Sequence, residues 1–434
     1  MDRFVVRPGG PLHGTVRVGG AKNSALKLMA ACLLAEGRHV LSGVPRIVDV
    51  ELMAEVLTAI GVRVERLPDG PGAGGAPGRP GDIVVDTPAA LVPEAPYELV
   101  EKMRASVVVL GPLLARTGRA SVALPGGDDF GNRPIDIHLH GLATLGAEFD
   151  MVHGNIEGRV PGGDGGRLVG HRVVFEYPSH TATDNVLMAA VLARGTTVIE
   201  NAAREPEVID LADFLTHMGA RIRGAGTSHI EVDGVDELHP GPAAHQVVPD
   251  RVVAATLLAA VGLAGGEIVV EDGRADHMDM VLRKMGEIGV AVSHSPEGLR
   301  ATSSGRLHSV DVATLPYPGV ATDYKPFLVT MLSVADGVGI VTENLFSGRF
   351  RYVDELRRMG ADIRTEGHHA VVRGVRRLSG APVRAPDLRA GAALVLAGMV
   401  AEGETVVSDA RHIDRGYEDL AATLRSLGAD VSRG

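Results

Sequence analysis

Lys22 is the first residue whose type and position could do chemistry, since it follows two glycines in the segment GGAKNS at residues 19–24. Glycines just before a helix expose backbone N–H groups to an anion, and a lysine there adds a full positive charge. The P-loop pattern GxxxxGK[ST] is missing. The segment therefore predicts an anion site at Lys22, with a solvent-exposed lysine at a helix start as the alternative.

Two further segments carry charge at the edge of apolar or helical stretches. Arg104 precedes the apolar run VVVLGPLL, so its charge must be paired or must bind a ligand. The segment 125–138, PGGDDFGNRPIDIH, contains Asp128, Arg133 and His138 among several glycines. An insertion of this composition is typical of a mobile active-site loop.

Asp323 lies in the segment PYPGVATDYKP at residues 316–326, directly before a predicted buried helix. The positive end of a helix dipole favours an ionised carboxylate, which is the form that a general base needs. Asp323 is therefore a candidate base. Its alternative role is that of a helix N-cap.

Several cations occupy comparable positions along the chain and suggest the kind of ligand. They are Lys22, Arg104, Arg349, Arg389 and Arg415. Arginine forks pair with phosphate as well as with carboxylate groups. Together these residues suit a small ligand that carries both groups.

An internal repeat indicates how the chain positions these residues. An apolar helix runs into a β-branched strand, and a charged helix follows that ends in a hydrophobic residue plus glycine. Those glycines are spaced 68 to 85 residues apart. They are Gly61, Gly146, Gly219, Gly289, Gly360 and Gly428. Each fits a helix C′ position with positive φ, so the pattern predicts six copies of an α+β unit of about 70 residues.

The two helices of each copy differ in their predicted environment. The first is apolar nearly all round and should be buried, whereas the second is charged and should face solvent together with the sheet. Six such units do not easily share one core, so we expect two groups of three with a cleft between them. An ordinary doubly wound α/β protein is the alternative, although a unit of 70 residues is twice the length of one βαβ step.

Composition excludes several classes of protein. Lys plus Arg total 43 and Asp plus Glu total 54, which gives a formal net charge of −11 and disfavours a general nucleic-acid binder. Cys32 is the only cysteine and lies in an apolar run, so we interpret it as a buried hydrophobe. The sequence has no signal-peptide pattern and no apolar run long enough to span a membrane, so we expect a cytoplasmic protein without a membrane partner.

Seven ordered motifs along the whole chain resemble the enolpyruvyl transferase family, which includes UDP-N-acetylglucosamine 1-carboxyvinyltransferases and 5-enolpyruvylshikimate-3-phosphate synthases. The motifs are GGAKNSALKLMAA, EKMRASVVVLGPLLAR, LPGGDDFGNRPIDIHLHGLATLGA, ENAAREPEVID, GRFRYVDELRRMGA, DLRAGAALVLAGMVAEG and HIDRGYEDL. The resemblance implies a two-domain inside-out α/β barrel with three repeated units per domain. The first lobe would span residues 21–230, with the mobile loop 125–138, and the second residues 1–20 and 231–434.

The resemblance also implies a reaction. The family moves the intact enolpyruvyl group of phosphoenolpyruvate to a sugar hydroxyl through a tetrahedral ketal and releases phosphate. No cofactor and no metal are implied, and the partners would be phosphoenolpyruvate and a uridine nucleotide. Acceptor binding is expected to close the two lobes by induced fit, and the oligomeric state stays open.

The family's functional residues carry over by motif. The residues implied to bind phosphoenolpyruvate are Lys22, Arg104, Arg133, Arg349, Arg389 and Arg415. Those implied to bind the acceptor are Asn23, Arg133, Pro134, Asp136, Ile137, Ser179, His180, Thr181, Asp323 and Leu345, and the four of them from Arg133 to Ile137 would form a uracil wall. Those implied to act in catalysis are Asp128, Asp323, Lys22 and Arg415, with Asp323 taking the acceptor proton.

Three departures from the family pattern bear on the acceptor. Asp128 replaces a cysteine that many members carry, and a carboxyl whose pKa is raised on loop closure would serve as general acid. SHTAT replaces SVGAT, so Thr181 stands where the family has glycine near the nucleotide phosphates. PGVATDYK replaces PGFPTDLQ around Asp323. His180 and Lys325 could pair with a terminal monophosphate or lie at the surface.

Three functions remain open at this point. The first is transfer of the carboxyvinyl group to the 3-hydroxyl of UDP-N-acetylglucosamine for peptidoglycan precursor synthesis. The second is transfer to another uridine nucleotide, such as UMP at its ribose 3′-hydroxyl, in nucleoside-antibiotic biosynthesis. The third is a non-catalytic relative that binds a uridine nucleotide. The presence of Lys22, Asp323 and Arg415 argues against the third.

Overall fold

The computed structural model describes residues 2–68, 81–126, 135–162, 166–346 and 348–434. These residues form two compact units. The N-terminal unit contains the described residues of 20–126 and 135–248, and the C-terminal unit contains residues 2–19 together with those of 249–434. Each unit has its own hydrophobic core.

The strands are short and distributed over the whole described chain. In chain order they are β1 (Arg3–Arg7), β2 (Leu12–Arg17), β3 (Gly37–Ser42), β4 (Arg63–Arg66), β5 (Ile83–Thr87), β6 (Glu94–Ala95), β7 (Arg119–Ala123), β8 (Glu148–Val152), β9 (Asn155–Arg159), β10 (Arg172–Val174), β11 (Thr196–Glu200), β12 (Arg221–Arg223), β13 (His229–Asp233), β14 (His245–Gln246), β15 (Gly266–Glu271), β16 (Ala291–Ser295), β17 (Gly298–Ser303), β18 (Val312–Ala313), β19 (Val338–Thr342), β20 (Asp362–Glu366), β21 (His369–Arg373), β22 (Pro382–Arg384), β23 (Thr405–Ser408) and β24 (Asp430–Arg433).

The α-helices include both apolar and charged sequences. In chain order they are α1 (Lys22–Ala31), α2 (Val48–Ala59), α3 (Tyr97–Val100), α4 (Leu110–Thr117), α5 (Asp136–Thr144), α6 (His180–Ala190), α7 (Pro206–His217), α8 (Arg251–Ala264), α9 (Asp279–Ile288), α10 (Lys325–Ser333), α11 (Tyr352–Arg358), α12 (Leu388–Val400), α13 (Arg411–Asp414) and α14 (Leu420–Ser426). Short 3-10 helices span Cys32–Leu34, Arg104–Val109 and Ala275–His277.

The described strands form six four-stranded sheets of one design, three in each unit. In the C-terminal unit, for example, β18 runs parallel to β19, and β19 and β20 flank β21 in antiparallel pairs. The same order of one parallel and two antiparallel pairings occurs in the other five sheets. The prediction of six repeated α+β units, three per domain, is confirmed.

The two helix types differ in burial as their sequences predict. In α12 every residue from Leu388 to Met399 is buried, which matches an apolar helix inside the core. In α9 the buried residues are Val281, Met285 and Ile288, which share one face at helical spacing. Of the charged residues of α9, Asp279, Arg283 and Glu287 are exposed.

The glycine that ends each outer helix adopts a left-handed conformation. The φ angles at Gly61, Gly146, Gly219, Gly289, Gly360 and Gly428 lie between 88° and 120°. Only glycine enters this region without a penalty from its Cβ atom, which is why the same residue closes all six copies.

The compact units differ from the expected lobes at residues 231–248. The expected boundary lies at 230, whereas the contact boundary lies at 248. The physical reason is strand pairing, since β14 runs parallel to β3 and Val247 N donates to the carbonyl of Ser42 at 3.0 Å. This segment therefore completes a sheet of the N-terminal unit.

Two smaller expectations concern Cys32 and membrane insertion. Cys32 is fully buried, its Sγ donates to the carbonyl of Leu28 at 3.2 Å, and burial raises the pKa of the thiol. The interpretation of Cys32 as a small core residue is confirmed. Within the described residues, every helix is too short or too polar to cross a bilayer.

Strand β21 offers a direct test of the sheet orientation. Val372 is fully buried and its neighbour Val371 is 37% exposed. We expect Val372→Ala to lower the free energy of unfolding by about 1–3 kcal/mol because it leaves a cavity. Val371→Ala is the matched control and should change it by less than about 0.5 kcal/mol. Equal effects in urea unfolding would contradict this orientation.

Candidate active site

Asp323 lies in the C-terminal unit beside two buried arginines. Its Oδ1 accepts a hydrogen bond from Arg349 Nη1 at 2.7 Å, and its Oδ2 accepts one from Arg389 Nε at 3.3 Å. The Asp323 side chain is 26% exposed, whereas the arginine side chains are 3% and 1% exposed. We call these three residues the Asp323 cluster. It holds a carboxylate that keeps an accessible edge.

The alternative role of Asp323 as a helix cap is wrong. Helix α10 begins at Lys325, and its N-cap residue is Tyr324 with no side-chain cap hydrogen bond. The Asp323 carboxylate instead faces Arg349 and Arg389, whose full charges attract it more strongly than backbone N–H groups do.

Several contacts fix the position of Arg389. Asp387, the N-cap of α12, accepts hydrogen bonds from the backbone N–H groups of Arg389 and Ala390 at 2.8 and 2.9 Å. The Arg389 guanidinium lies 5.3 Å from the ring centroid of Tyr417. Burial alone would lower the pKa of Arg389, but Tyr417 and Asp323 raise it, so the guanidinium stays charged.

Two other predicted residues of the C-terminal unit are partly buried. Arg415 directly follows α13 and lies two residues before Tyr417, so the end of that helix is near Arg389. Leu345 follows β19, and its backbone N–H donates to Glu343 Oε1 at 2.8 Å.

The surface role considered for Lys325 is wrong. Its side chain is 0% exposed, and its Nζ lies 2.8 Å from Glu343 Oε2, which is also 0% exposed. Lys325 is the first residue of α10, an apolar helix inside the core, so its ammonium is enclosed with that helix. Its ammonium pairs with this internal carboxylate.

In the N-terminal unit, Lys22 is the first residue of α1 and is buried. Its Nζ forms an ion pair with Asp49 Oδ2 at 2.6 Å, and Asp49 is 1% exposed. The alternative of a solvent-exposed lysine is therefore wrong. Asn23, the next residue, is only partly buried. The start of α1 thus presents a buried cation and a more accessible amide side by side.

The turn 179–181, where the sequence departs from the family, forms the start of α6. Ser179 is the N-cap and accepts a hydrogen bond from Ala182 N at 3.4 Å. His180 Nε2 lies 3.1 Å from Lys27 Nζ and 3.5 Å from Asp184 Oδ2. Burial raises the pKa of Asp184 to about 7, although Lys27 opposes this shift.

His138 is buried between the starts of α5 and α6. Its Nδ1 lies 3.1 Å from Asn185 Nδ2, and its Nε2 lies 3.2 Å from Thr181 Oγ1. Asn185 Oδ1 accepts from Gly111 N at 2.6 Å, which fixes its Nδ2 as a donor. His138 Nδ1 must therefore accept, so the neutral ring donates from Nε2 to Thr181.

Arg104 contributes to the electrostatics of the same region. It begins the 3-10 helix Arg104–Val109 and is partly buried. Burial, and then the positive charge of Arg104, lower the pKa of His138 to about 3. A neutral His138 is thus the form that the folded protein requires near neutral pH.

The remaining predicted residues divide into two groups. Asp136 is exposed at the first position of α5, and Ile137 beside it is partly buried. Predicted residues outside the described residues are Asp128, Arg133 and Pro134.

Sequence reasoning missed three buried carboxylates that pair with basic residues, namely Asp49, Asp184 and Glu343. One signal was available for Asp184, because it interrupts an apolar helix in the stretch TATDNVLMAA. A charge inside such a helix needs a partner. Asp49 and Glu343 lie in ordinary helix-start and strand-end positions, so their partners become visible only in the folded chain.

The Asp323 cluster can accept a proton from a hydroxyl group. Two guanidinium groups favour the ionised form of a neighbouring carboxylate, and a carboxylate with an accessible edge retains lone pairs for a ligand. Arg349 and Arg389 would at the same time attract an anionic ligand. Proton transfer beside an anion is the chemistry that this arrangement suits.

Comparison with known proteins gives full-length similarity. The model of the family described as EPSP synthase (3-phosphoshikimate 1-carboxyvinyltransferase) matches residues 6–424. A UDP-N-acetylglucosamine 1-carboxyvinyltransferase from Nocardia farcinica is 49% identical over 432 residues, covering 100% of this chain and 98% of the relative. A UDP-N-acetylglucosamine 1-carboxyvinyltransferase from Thermodesulfovibrio yellowstonii is 44% identical over 434 residues. This match covers 100% of this chain and 100% of the relative.

Solved structures show the same fold. The enolpyruvyl transferase NikO from Streptomyces tendae matches with a TM-score of 0.85 at 24% identity, over 99% of this chain and 98% of that one. An EPSP synthase from Acinetobacter baumannii matches with a TM-score of 0.73 at 18% identity, over 100% of both chains. The prediction of the two-domain enolpyruvyl transferase fold is confirmed.

His138 predicts a specific acid sensitivity. Its pKa lies at about 3 in the folded chain against 6.5 ordinarily, so between these values the unfolded chain binds more protons and stability falls as pH falls. We expect His138→Gln to lose less stability than the wild type between pH 6.5 and 4.5, by up to about 1.4 kcal/mol per pH unit.

The control is His140→Gln, which changes an exposed histidine of the same helix. Urea unfolding across the pH range measures both variants. If His138→Gln follows the same pH dependence as the wild type, His138 is not held neutral in the folded chain.

Proposed function

The chain belongs to the EPSP synthase (3-phosphoshikimate 1-carboxyvinyltransferase) family, and within it we propose that the chain acts on a uridine diphosphate sugar. The reaction is transfer of the carboxyvinyl group of phosphoenolpyruvate to the 3-hydroxyl of UDP-N-acetylglucosamine, with release of phosphate. The product is a precursor of peptidoglycan. The observation that carries this proposal is the identity of 44–49% over the full chain to relatives that bear that name.

The reaction proceeds by addition and elimination. A proton adds to the methylene carbon of phosphoenolpyruvate, and the sugar 3-hydroxyl attacks the adjacent carbon as its own proton leaves. The resulting tetrahedral ketal loses phosphate and one methyl proton, which regenerates the carbon–carbon double bond. The chain must therefore supply an acid, a base and cations for the phosphate and carboxylate groups.

In the C-terminal unit, Asp323 is the proposed base for the acceptor hydroxyl. Its contacts with Arg349 and Arg389 support this role because they favour the ionised carboxylate. The same arginines, with Arg415, are the proposed contacts for the anionic donor, and Leu345 is a proposed contact for the acceptor. The proposal separates proton transfer at Asp323 from anion binding at the arginines.

In the N-terminal unit, Lys22, Arg104 and Arg133 are the proposed contacts for phosphoenolpyruvate. Asp128 is the proposed general acid. The other proposed acceptor contacts of this unit are Asn23, Arg133, Pro134, Asp136, Ile137, Ser179, His180 and Thr181. The position of Lys22 at the first residue of α1 supports its role, since the start of a helix favours an anion.

A phosphate-release assay tests the proposal against its alternatives. The protein is mixed with phosphoenolpyruvate and either UDP-N-acetylglucosamine, UMP or UDP, and the product is identified by mass spectrometry. We expect release with UDP-N-acetylglucosamine and a nucleotide product heavier by one carboxyvinyl group in place of hydrogen. Release with UMP alone would support the alternative acceptor. Nucleotide binding without turnover would indicate a non-catalytic protein.

Removing the proposed base should affect turnover and spare binding. We expect Asp323→Asn to lower kcat by about 10²–10⁴-fold, because an amide cannot take the hydroxyl proton, while nucleotide Kd changes within a few-fold. Asp336→Asn is the matched control, since Asp336 forms an exposed ion pair with Arg306 in the same unit. If Asp323→Asn kept the wild-type kcat, Asp323 would not be the base.

A further inference from the structure

Glu343 is a buried carboxylate that accepts an unusual number of hydrogen bonds. It directly follows β19, and its side chain is 0% exposed. Its Oε1 accepts from Thr314 Oγ1 at 2.7 Å and from the backbone N–H groups of Leu345 and Phe346 at 2.8 and 3.1 Å. This oxygen therefore fixes the turn that leads from β19 towards Arg349.

The other oxygen of Glu343 faces the segment that carries Asp323. Its Oε2 accepts from Thr322 Oγ1 at 2.7 Å and lies 2.8 Å from Lys325 Nζ. Thr322 and Lys325 flank Asp323 in sequence on both sides. One buried carboxylate thus ties together two of the three segments whose side chains meet in the Asp323 cluster.

The Lys325 side chain contacts the backbone of Arg349. The Lys325 Nζ donates to the carbonyl of Arg349 at 2.5 Å and lies 3.8 Å from the ring centroid of Phe350. Its ammonium is thereby enclosed by Glu343, a carbonyl oxygen and an aromatic face. The ammonium fixes the backbone of Arg349 relative to the start of α10.

Thr322 contacts Arg349 at the guanidinium group. The Thr322 hydroxyl has one proton, which it donates to Glu343, so its oxygen is left to accept. Arg349 Nη1 donates to that oxygen at 3.1 Å, and the same nitrogen donates to Asp323 Oδ1 at 2.7 Å. The orientation of the Arg349 guanidinium group relative to Asp323 therefore depends on Glu343.

We propose that the buried Lys325–Glu343 ion pair is a positioning pair, which holds Arg349 at its carbonyl and, through Thr322, at its guanidinium group, and so sets the geometry of the Asp323 cluster. This inference rests on the proposed function, because its consequence is measured on that reaction. Neither residue of the pair touches the reacting atoms in this proposal. Their effect passes through Arg349.

The lysine makes this positioning sensitive to pH in this chain. Burial lowers the pKa of Lys325 to about 8, and Glu343 opposes that shift. The other charged groups that act on Lys325 are Arg349 and Asp387. The family motif PGFPTDLQ has glutamine at this position, and an amide can donate to Glu343 without titrating. Lys325→Gln therefore keeps a donor while removing the titration.

The test uses the full-length chain with two variants at one position. Lys325→Met removes the donor, and we expect kcat/KM for phosphoenolpyruvate to fall about 10- to 100-fold, since Glu343 loses a charge-assisted hydrogen bond and Arg349 its backbone contact. Lys325→Gln should stay within about tenfold of the wild type. Nucleotide Kd, measured by calorimetry, should change less than about threefold in both variants.

The pH profile separates positioning from a general role in folding. We expect kcat/KM of the wild type to fall above about pH 8 relative to Lys325→Gln, because the neutral amine no longer holds Glu343 and the Arg349 carbonyl as firmly. The contribution of Lys325 to folding stability changes with pH in the opposite direction to kcat/KM. Between pH 8 and 10.5 the unfolded chain holds more protons on Lys325, so this group raises the free energy of unfolding with pH.

Lys284→Met is the matched control, because Lys284 forms a more exposed ion pair with Glu287 in the same unit. An effect of Lys325→Met no larger than that of Lys284→Met would overturn the proposal. Identical pH profiles for the wild type and Lys325→Gln would also overturn the proposal. This comparison remains informative if the methionine variant fails to fold. A wild-type protein without phosphate release would instead refute the proposed function.

Discussion

Burying basic side chains at the beginnings of apolar helices is the constraint on which the rest of the structure depends. Each repeat places a basic residue at the first or second position of its inner helix, including the 3-10 helix that leads into α4. These residues are the buried Lys22, Arg251, Lys325 and Arg389 and the partly buried Arg104 and His180. A buried charge is costly unless it is paired and hydrogen-bonded, so each unit must bring carboxylates or polar groups to its helix starts.

The carboxylates that meet this requirement fall into two kinds. Glu343 is fully enclosed and accepts hydrogen bonds at both oxygens, so its lone pairs are occupied by the protein. Asp323 pairs with two arginines and yet remains 26% exposed. The first kind suits a structural carboxylate and the second suits proton transfer. The difference follows from exposure and from the number of donors rather than from residue type.

Two residues that depart from the family pattern, Thr181 and Lys325, make specific polar contacts in the structure. Thr181, which stands where the family has glycine, accepts a hydrogen bond from neutral His138. Lys325, which stands where the family has glutamine, forms an ion pair with buried Glu343. Both changes add polar contacts at helix starts without exposing new charge.

The sequence alone determined the repeat, the order of its elements and the burial of its inner helices. The reason is that helical periodicity and the positive φ at Gly61, Gly360 and their counterparts are local properties. Only the tertiary structure decided which charges pair. Asp49 meets Lys22, Glu343 meets Lys325, and Asp323 turns to Arg349 instead of capping α10. Such pairings depend on distances between segments that are remote in sequence, and no local pattern encodes those distances.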